Sequence, residues 1–335
     1  MDEGRAVKTA CTPSAGSQTD ATQLLGILNR RVHTKPTDRR IGETPGRSPG
    51  RIPSPAAATL WYSVARRMEM PKETPLSGRS FLGEALSDPR EGALAKYRRL
   101  VFGEGGILGL LRYELLLLLF SNIPGALGIL LRRIFYRPLF KRMGRGVIIG
   151  TGVTLRHPGR ISLGNHVAID DYCTLDARGE NCGGITLGDR TIVSRFSILR
   201  TKEGTIEIGA GAGIGSHSIL ASTSSLVAGE HLLLAPASCI IAGGQHAFAR
   251  ADVPIVAQGM ISKGGVSIGD DVWIGSRATI LDGVKIGAHA IVGACALVNK
   301  EIPAYAIAYG VPAKQVGDRR HPSEAGGGGA QGSGR

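Results

Sequence analysis

Aromatic side chains are scarce in this chain: Phe, Trp and Tyr make up 5% of its 335 residues. A core built without them is filled by aliphatic side chains, and 49 glycines imply a backbone with many tight corners. That pairing suits a solenoid better than an ordinary sandwich. CxxC pairs are also missing, and the five cysteines (Cys11, Cys173, Cys182, Cys239 and Cys295) leave one unpaired. They read as reduced cytosolic thiols, with Cys173 as a small buried side chain. No stretch reaches the roughly 20 unbroken apolar residues that a membrane span wants. Met1 to Gly50 holds charges and prolines but no apolar core of a secretory leader.

Acidic residues are under-represented in only one part of the chain. The net charge is +13, and residues 1–145 carry 24 Lys and Arg against 12 Asp and Glu, so nearly all the excess lies there. Residues 146–335 carry 16 against 15. The basic tract has no interleaved aromatics of the kind that stack bases, which argues against nucleic acid as a partner. It lies beside an apolar segment, which points to anionic lipid.

The chain divides by composition. Residues 1–95 are rich in Pro, Gly, Ser, Thr and Arg without a sustained apolar period. Such a tract buries too little apolar surface to offset its ordering entropy, so it reads as a disordered basic extension. Met68 and Met70 are reasonable alternative starts, which would make part of the extension non-native. Residues 96–143 are apolar and basic. Within them the run from Leu100 to Met143 is interrupted by Arg112, Glu114 and Ile123-Pro124-Gly125, which predicts two short helices. Arg132, Arg133, Arg137, Lys141 and Arg142 form their basic flank. The expectation is a segment lying on the inner face of the cytoplasmic membrane, or else a helical cap on the following domain. Residues 321–335 read as a disordered Gly-rich tail.

Residues 144–320 carry a period of six. Ile268, Ile274, Ile280, Ile286, Val292 and Val298 follow one another at that spacing. Gly269, Gly275, Gly287 and Gly293 come directly after four of them, and Val272, Ala278, Val284, Ala290 and Ala296 sit four residues after the aliphatic position. The same register recurs at Leu163-Gly164, Ile169-Asp170, Leu175-Asp176, Leu187-Gly188, Ile208-Gly209 and Ile214-Gly215. A helix would show a period near 3.6, so each unit must instead stack on copies of itself. The aliphatic residue is expected to point inward and the glycine or acid to turn the corner.

The period breaks once at length. After Ile240-Ile241-Ala242 comes an excursion, 243–265, and the repeat resumes at Val266-Ser267-Ile268-Gly269. Loops on rigid scaffolds carry function disproportionately. This one holds a single histidine, His246, at its start. A neutral imidazole suits general-base work because its unperturbed pKa is about 6.5.

These repeats resemble the hexapeptide-repeat acyltransferases. The resemblance implies an all-β fold, a left-handed parallel β-helix with three hexapeptides per coil. At that repeat, Leu163 to Val298 gives roughly seven coils and a prism about 35 Å long. Gly243-Gly244-Gln245-His246 with Asp252-Val253-Pro254-Ile255 resembles the catalytic loop of the sugar and polysaccharide O-acetyltransferase branch. Asp270 to Ser276, Val298 to Pro303 and Tyr309 to Lys314 resemble the family's coil and terminal motifs. The resemblance implies that His246 is the general base, that acetyl-CoA or another acyl-CoA is the donor, and that the bacterial enzyme is a homotrimer with sites between subunits. It places Ser276, Ala294, Lys300 and Lys314 along the CoA, although Asn299 departs from the threonine usual at its position.

On the acceptor side the same alignment gives Trp273, Ser216 and Ser224. Asp252 or a backbone carbonyl would orient His246. No metal is expected, and no Ser or Cys nucleophile motif is present, in keeping with direct transfer. The expected acceptor is a hydroxyl of a surface or lipid-linked glycan. An amino sugar or a drug alcohol is the alternative within the same chemistry. Two other classes stand beside this one: a zinc carbonic-anhydrase-like enzyme, in which His217, His246 and His289 would converge between subunits, and a non-catalytic scaffold.

Overall fold

The computed structural model describes residues 91–103, 106–179 and 182–321. The extension up to residue 90, its alternative starts and the tail from 322 lie outside them.

Short parallel strands make up three sheets, and the chain visits them in the same order on every turn. The first face runs from Arg142–Met143 through Ile161–Leu163 and on to Lys285–Ile286. The second begins at Ile148–Ile149 and reaches Ile291–Val292, and the third spans Thr154–Arg156 to Leu297–Val298. This is a parallel β-helix of seven coils. It starts one coil before Leu163, where the period first becomes legible, because Met143 pairs with Leu163 and Ile149 with Ile169. A terminal antiparallel hairpin, Ala306–Gly310 with Ala313–Asp318, extends the second face.

The six-residue step maps onto burial as expected. Ile149, Ile169, Val193, Ile214, Leu234, Ile274 and Val292 form one inward column. Leu155, Leu175, Leu199, Leu220, Ile240, Ile280 and Val298 form another, and all are fully buried. The residue before each of them is half-buried or exposed, as the alternation of the pleat requires.

The corners are built differently from the sequence expectation. The glycine after the aliphatic residue does not make the turn. A Cβ on Gly275 would lie 2.5 Å from the backbone N of Ala294, and one on Gly164 2.7 Å from the backbone N of Asp189. These glycines let one coil sit directly on the next. The left-handed turn itself falls two residues later, on Tyr172, Phe196, His217, Arg277 and Cys295 at one edge, and on His166, Arg190, His231, Asp271 and His289 at another. Stacking down the edge offsets that backbone cost: Tyr172 lies 5.4 Å from Phe196, and Phe196 lies 5.0 Å from His217.

Among the described residues α1 (Ala93–Val101) comes first, and the run from Leu100 to Met143 then holds the two expected helices, α2 (Ile107–Phe120) and α3 (Gly125–Phe135). Residues 93–95, read from composition as the end of the extension, form the first turn of α1. Ile123-Pro124-Gly125 breaks the chain between α2 and α3, with Pro124 in extended backbone at the head of α3. The inner faces rest on the prism. The Tyr113 hydroxyl donates to the Leu155 carbonyl at 2.7 Å, and burial pushes its pKa up to about 12. Among the described residues no helix is long and apolar enough to cross a membrane.

Candidate active site

The long break in the period opens between the third-face strand Cys239–Ala242 and the first-face strand Val266–Ile268. The prism continues beneath it, since Ala228 pairs directly with Ile268. Gly243 and Gly244 both adopt left-handed backbone, φ +94° and +84°. A Cβ on Gly243 would come within 2.4 Å of the Thr223 hydroxyl oxygen, so glycine is required twice over at this exit.

From there the loop is a folded hairpin. Gln245–His246 pairs antiparallel with Met260–Ile261, His246 opposite Met260. The Ala247 N–H donates to the Gly259 carbonyl at 3.1 Å. Gln258 stitches the middle: its Nε2 donates to the carbonyls of Arg250 and Val253, both at 2.7 Å, while its Oε1 accepts the Arg250 N–H at 3.0 Å. Asp282 holds the return, accepting the N–H groups of Lys263 and Gly265.

Two grooves flank the hairpin. One, of about 320 Å³, runs along the third face under Arg200, Ile219, Ala221, Cys239 and Ile241 and ends at Thr223, Met260 and His246. The other, of about 490 Å³, continues on the later coils beside Gln245, Lys263, Leu281, Asp282 and Asn299. Ile241, Gly243 and Gly244 line both. His246 is solvent-exposed, and its ring has no hydrogen-bond partner among the described residues. Thr223 Oγ1 is buried in the same place, also without a partner among them.

The other predicted site residues divide by edge. Ser216, Ser276 and Ala294 stack at the edge between the second and third faces, where the Cys295 N–H donates to the Ser276 carbonyl at 2.9 Å. Ser224 lies at the opposite edge, close under the loop exit, with its hydroxyl donated to the Ala242 carbonyl at 3.1 Å. Lys300 follows the last third-face strand and Lys314 sits opposite Tyr309 in the terminal hairpin; both are exposed.

Within one protomer two of the predicted residues stand apart from His246. Trp273 belongs to the second face, between Leu233 and Ile291, and so is not brought to His246. Asp252 does not orient the imidazole either. Its carboxylate accepts from Arg250 at 2.6 Å, and that guanidinium holds the Asp252 pKa below the usual carboxylate range. Of the histidines in the zinc alternative, His217 stacks on Phe196 at one edge. His289 stands at another, 3.0 Å from Asp271, so the three lie apart within one protomer.

Sequence reasoning missed Thr223, Gln258 and Asp282. Asp282-Gly283 at the corner beneath the loop is a turn signal that could have flagged the last. Nothing in sequence marks Gln258 as the stitch.

Residues 265–300 match the family described as bacterial transferase hexapeptide (six repeats). A probable acetyltransferase of Mycobacterium tuberculosis is 33% identical over 182 residues, 53% of this chain and 52% of that protein. A chloramphenicol acetyltransferase of Morganella morganii is 52% identical over 56 residues, 17% of this chain and 27% of its relative. A dTDP-4-amino-4,6-dideoxy-D-glucose acyltransferase of Escherichia coli is 29% identical over 182 residues, 54% of this chain and 83% of that protein. The chain thus spans about half, or less, of the first two relatives' own length.

Proposed function

Because the chain belongs to the hexapeptide-repeat transferases, with their left-handed β-helix, we propose that it moves an acyl group from acyl-CoA to a hydroxyl of a sugar, with His246 as general base. One observation carries this reading: His246 stands on the hairpin that separates two grooves, and both grooves run to the same Ile241-Gly243-Gly244 wall.

A group at that wall can serve two substrates at once. In our reading the donor lies along the later coils, from the Ser276 and Ala294 edge to Leu281 and Asn299. Its thioester would end at Gly243 and Gly244, and Lys263 and Lys300 would favour its phosphates. The acceptor lies in the groove under Arg200, Cys239 and Thr223. Its hydroxyl loses its proton to His246 as the oxygen attacks the thioester carbonyl. The tetrahedral intermediate then collapses, the carbon–sulfur bond breaks, and the CoA thiolate takes back the proton. Holding both reactants on a rigid wall replaces a bimolecular encounter with an oriented one. Thr223, its hydroxyl unclaimed, is suited to hold the sugar.

The acceptor we favour is a glycan of the bacterial surface, free or lipid-linked, and the active assembly a trimer that closes the grooves from the side. The experiment is acyl-CoA turnover by the purified protein, read as free thiol, across a panel of sugars, nucleotide-linked sugars and small alcohols. Acceptor-dependent thiol release with an acylated product by mass spectrometry supports the reading; hydrolysis that no acceptor accelerates opposes it.

A second reading, transfer to an amine of a nucleotide-linked amino sugar, draws on the name of the Escherichia coli relative, of which this chain covers 83%. Including amino sugars in the panel separates the two, because an amide product survives hydroxylamine and an ester does not.

A further inference from the structure

The helices that cap the prism bury one side each and leave the other bare. On α2, Leu110 and Tyr113 face the prism, while Leu108, Leu111, Leu115 and Leu118 form the opposite stripe at helical spacing, 54 to 80% exposed. On α3, Gly128 and Arg132 face inward, and Leu127, Leu130 and Ile134 form an outward stripe, 52 to 61% exposed. Phe120 and Phe135 stack at 4.7 Å and tie the two helices together. Seven large aliphatic side chains on two adjacent helices make an apolar patch too concentrated for the scattered surface leucines of a soluble protein.

The charge around the patch is of one sign. Arg133, Arg137, Lys141 and Arg142 are exposed along its border. Between residues 106 and 142 the single acidic residue is Glu114, and it accepts a hydrogen bond from the Tyr97 hydroxyl at 2.6 Å. A second copy of this patch would bring cations against cations. A surface of anionic headgroups over an apolar interior satisfies both parts together. The helices are about 21 and 16 Å long at 1.5 Å per residue, short of the roughly 30 Å hydrocarbon core, so they fit lying in the interface and not crossing it.

We propose that α2 and α3 are a peripheral membrane anchor: the leucine stripes enter the acyl boundary of an anionic leaflet, and the Arg and Lys border holds its headgroups. The prism then stands on the membrane by its first coil. Since Gly243 and Gly244 leave the fifth coil, the grooves sit roughly 20 Å above that base at about 4.8 Å per coil. The proposal does not depend on the chemistry at His246.

The test is flotation of the full chain with phosphatidylglycerol/phosphatidylethanolamine vesicles and with phosphatidylcholine vesicles, without acyl-CoA. Binding to the anionic vesicles that weakens with salt is expected. An L111D/L118D variant should lose it while keeping the wild-type melting temperature. R133Q/R137Q should weaken it about 25-fold, at about fivefold per cation. Equal partition to neutral vesicles, or none to either, overturns the proposal. So does a lipid-free oligomer that L111D/L118D dissolves, because the patch would then belong to a second copy.

Discussion

The guanidinium of Arg132 donates from Nε to the carbonyl of Ile149 at 2.8 Å and so fastens α3 to the first coil of the prism. Its Nη1 reaches the carbonyls of Phe120 at 2.9 Å and Ile123 at 2.8 Å, closing the end of α2 and the turn after it. One buried cation thus satisfies acceptors on three segments, and burial pulls its pKa down, with no carboxylate in hydrogen-bond contact among the described residues. Arg132→Met keeps the bulk and strands those carbonyls. A loss of about 3 kcal/mol is expected, read as a lower urea midpoint for the helical cap.

His157 ties α1 to the same coil. Its Nε2–H donates to the Arg99 carbonyl at 2.7 Å, which makes Nδ1 the bare nitrogen, buried without a partner among the described residues. Burial lowers the ring's pKa, against the smaller raising effect of the Arg99 bond; Arg160, Asp176 and Arg178 also face it, with opposing signs. An unfolded histidine titrates near 6.5, so below about that pH the unfolded chain binds more protons than the folded one. Stability is full above that value and falls as the pH drops through it. The melting temperature should decline between pH 7 and pH 5, and His157→Gln should remove that part of the decline.

At Gly275 the coils touch. Gly275→Ala would push a methyl 2.5 Å from the Ala294 nitrogen and should cost about 1–3 kcal/mol. Ser276→Ala, one residue on, meets no such contact and should leave the melting temperature unchanged. If Ser276 lines the donor, its variant raises the KM for acyl-CoA alone.

Gln258→Ala removes three hydrogen bonds within the hairpin and none from the prism. The expected outcome is an unchanged melting temperature with a fall of about tenfold in kcat/KM, about 1.4 kcal/mol of lost orientation of His246. A wild-type rate would mean that the hairpin holds its histidine without the stitch.

The solenoid was legible in sequence because its repeat is a packing rule. An aliphatic side chain every sixth residue can only be buried by stacking, and a break in that rule exposed the loop and His246. The corners were not legible, since left-handed backbone at Arg190, Phe196 or Cys295 has no residue-type signal. The face that carries Trp273 was not legible either, because linear proximity to a coil motif does not say which of three faces a residue occupies. Asp252 was misassigned for a local reason, a competing partner two residues away.

The central claim concerns the imidazole between the two grooves. Single-turnover acyl transfer by His246→Ala, alongside its melting curve and CoA affinity, tests it most directly. The account predicts a rate lower by about 10²–10⁴ with folding and CoA binding unchanged. A variant that folds, binds CoA and transfers within twofold of wild type would contradict it.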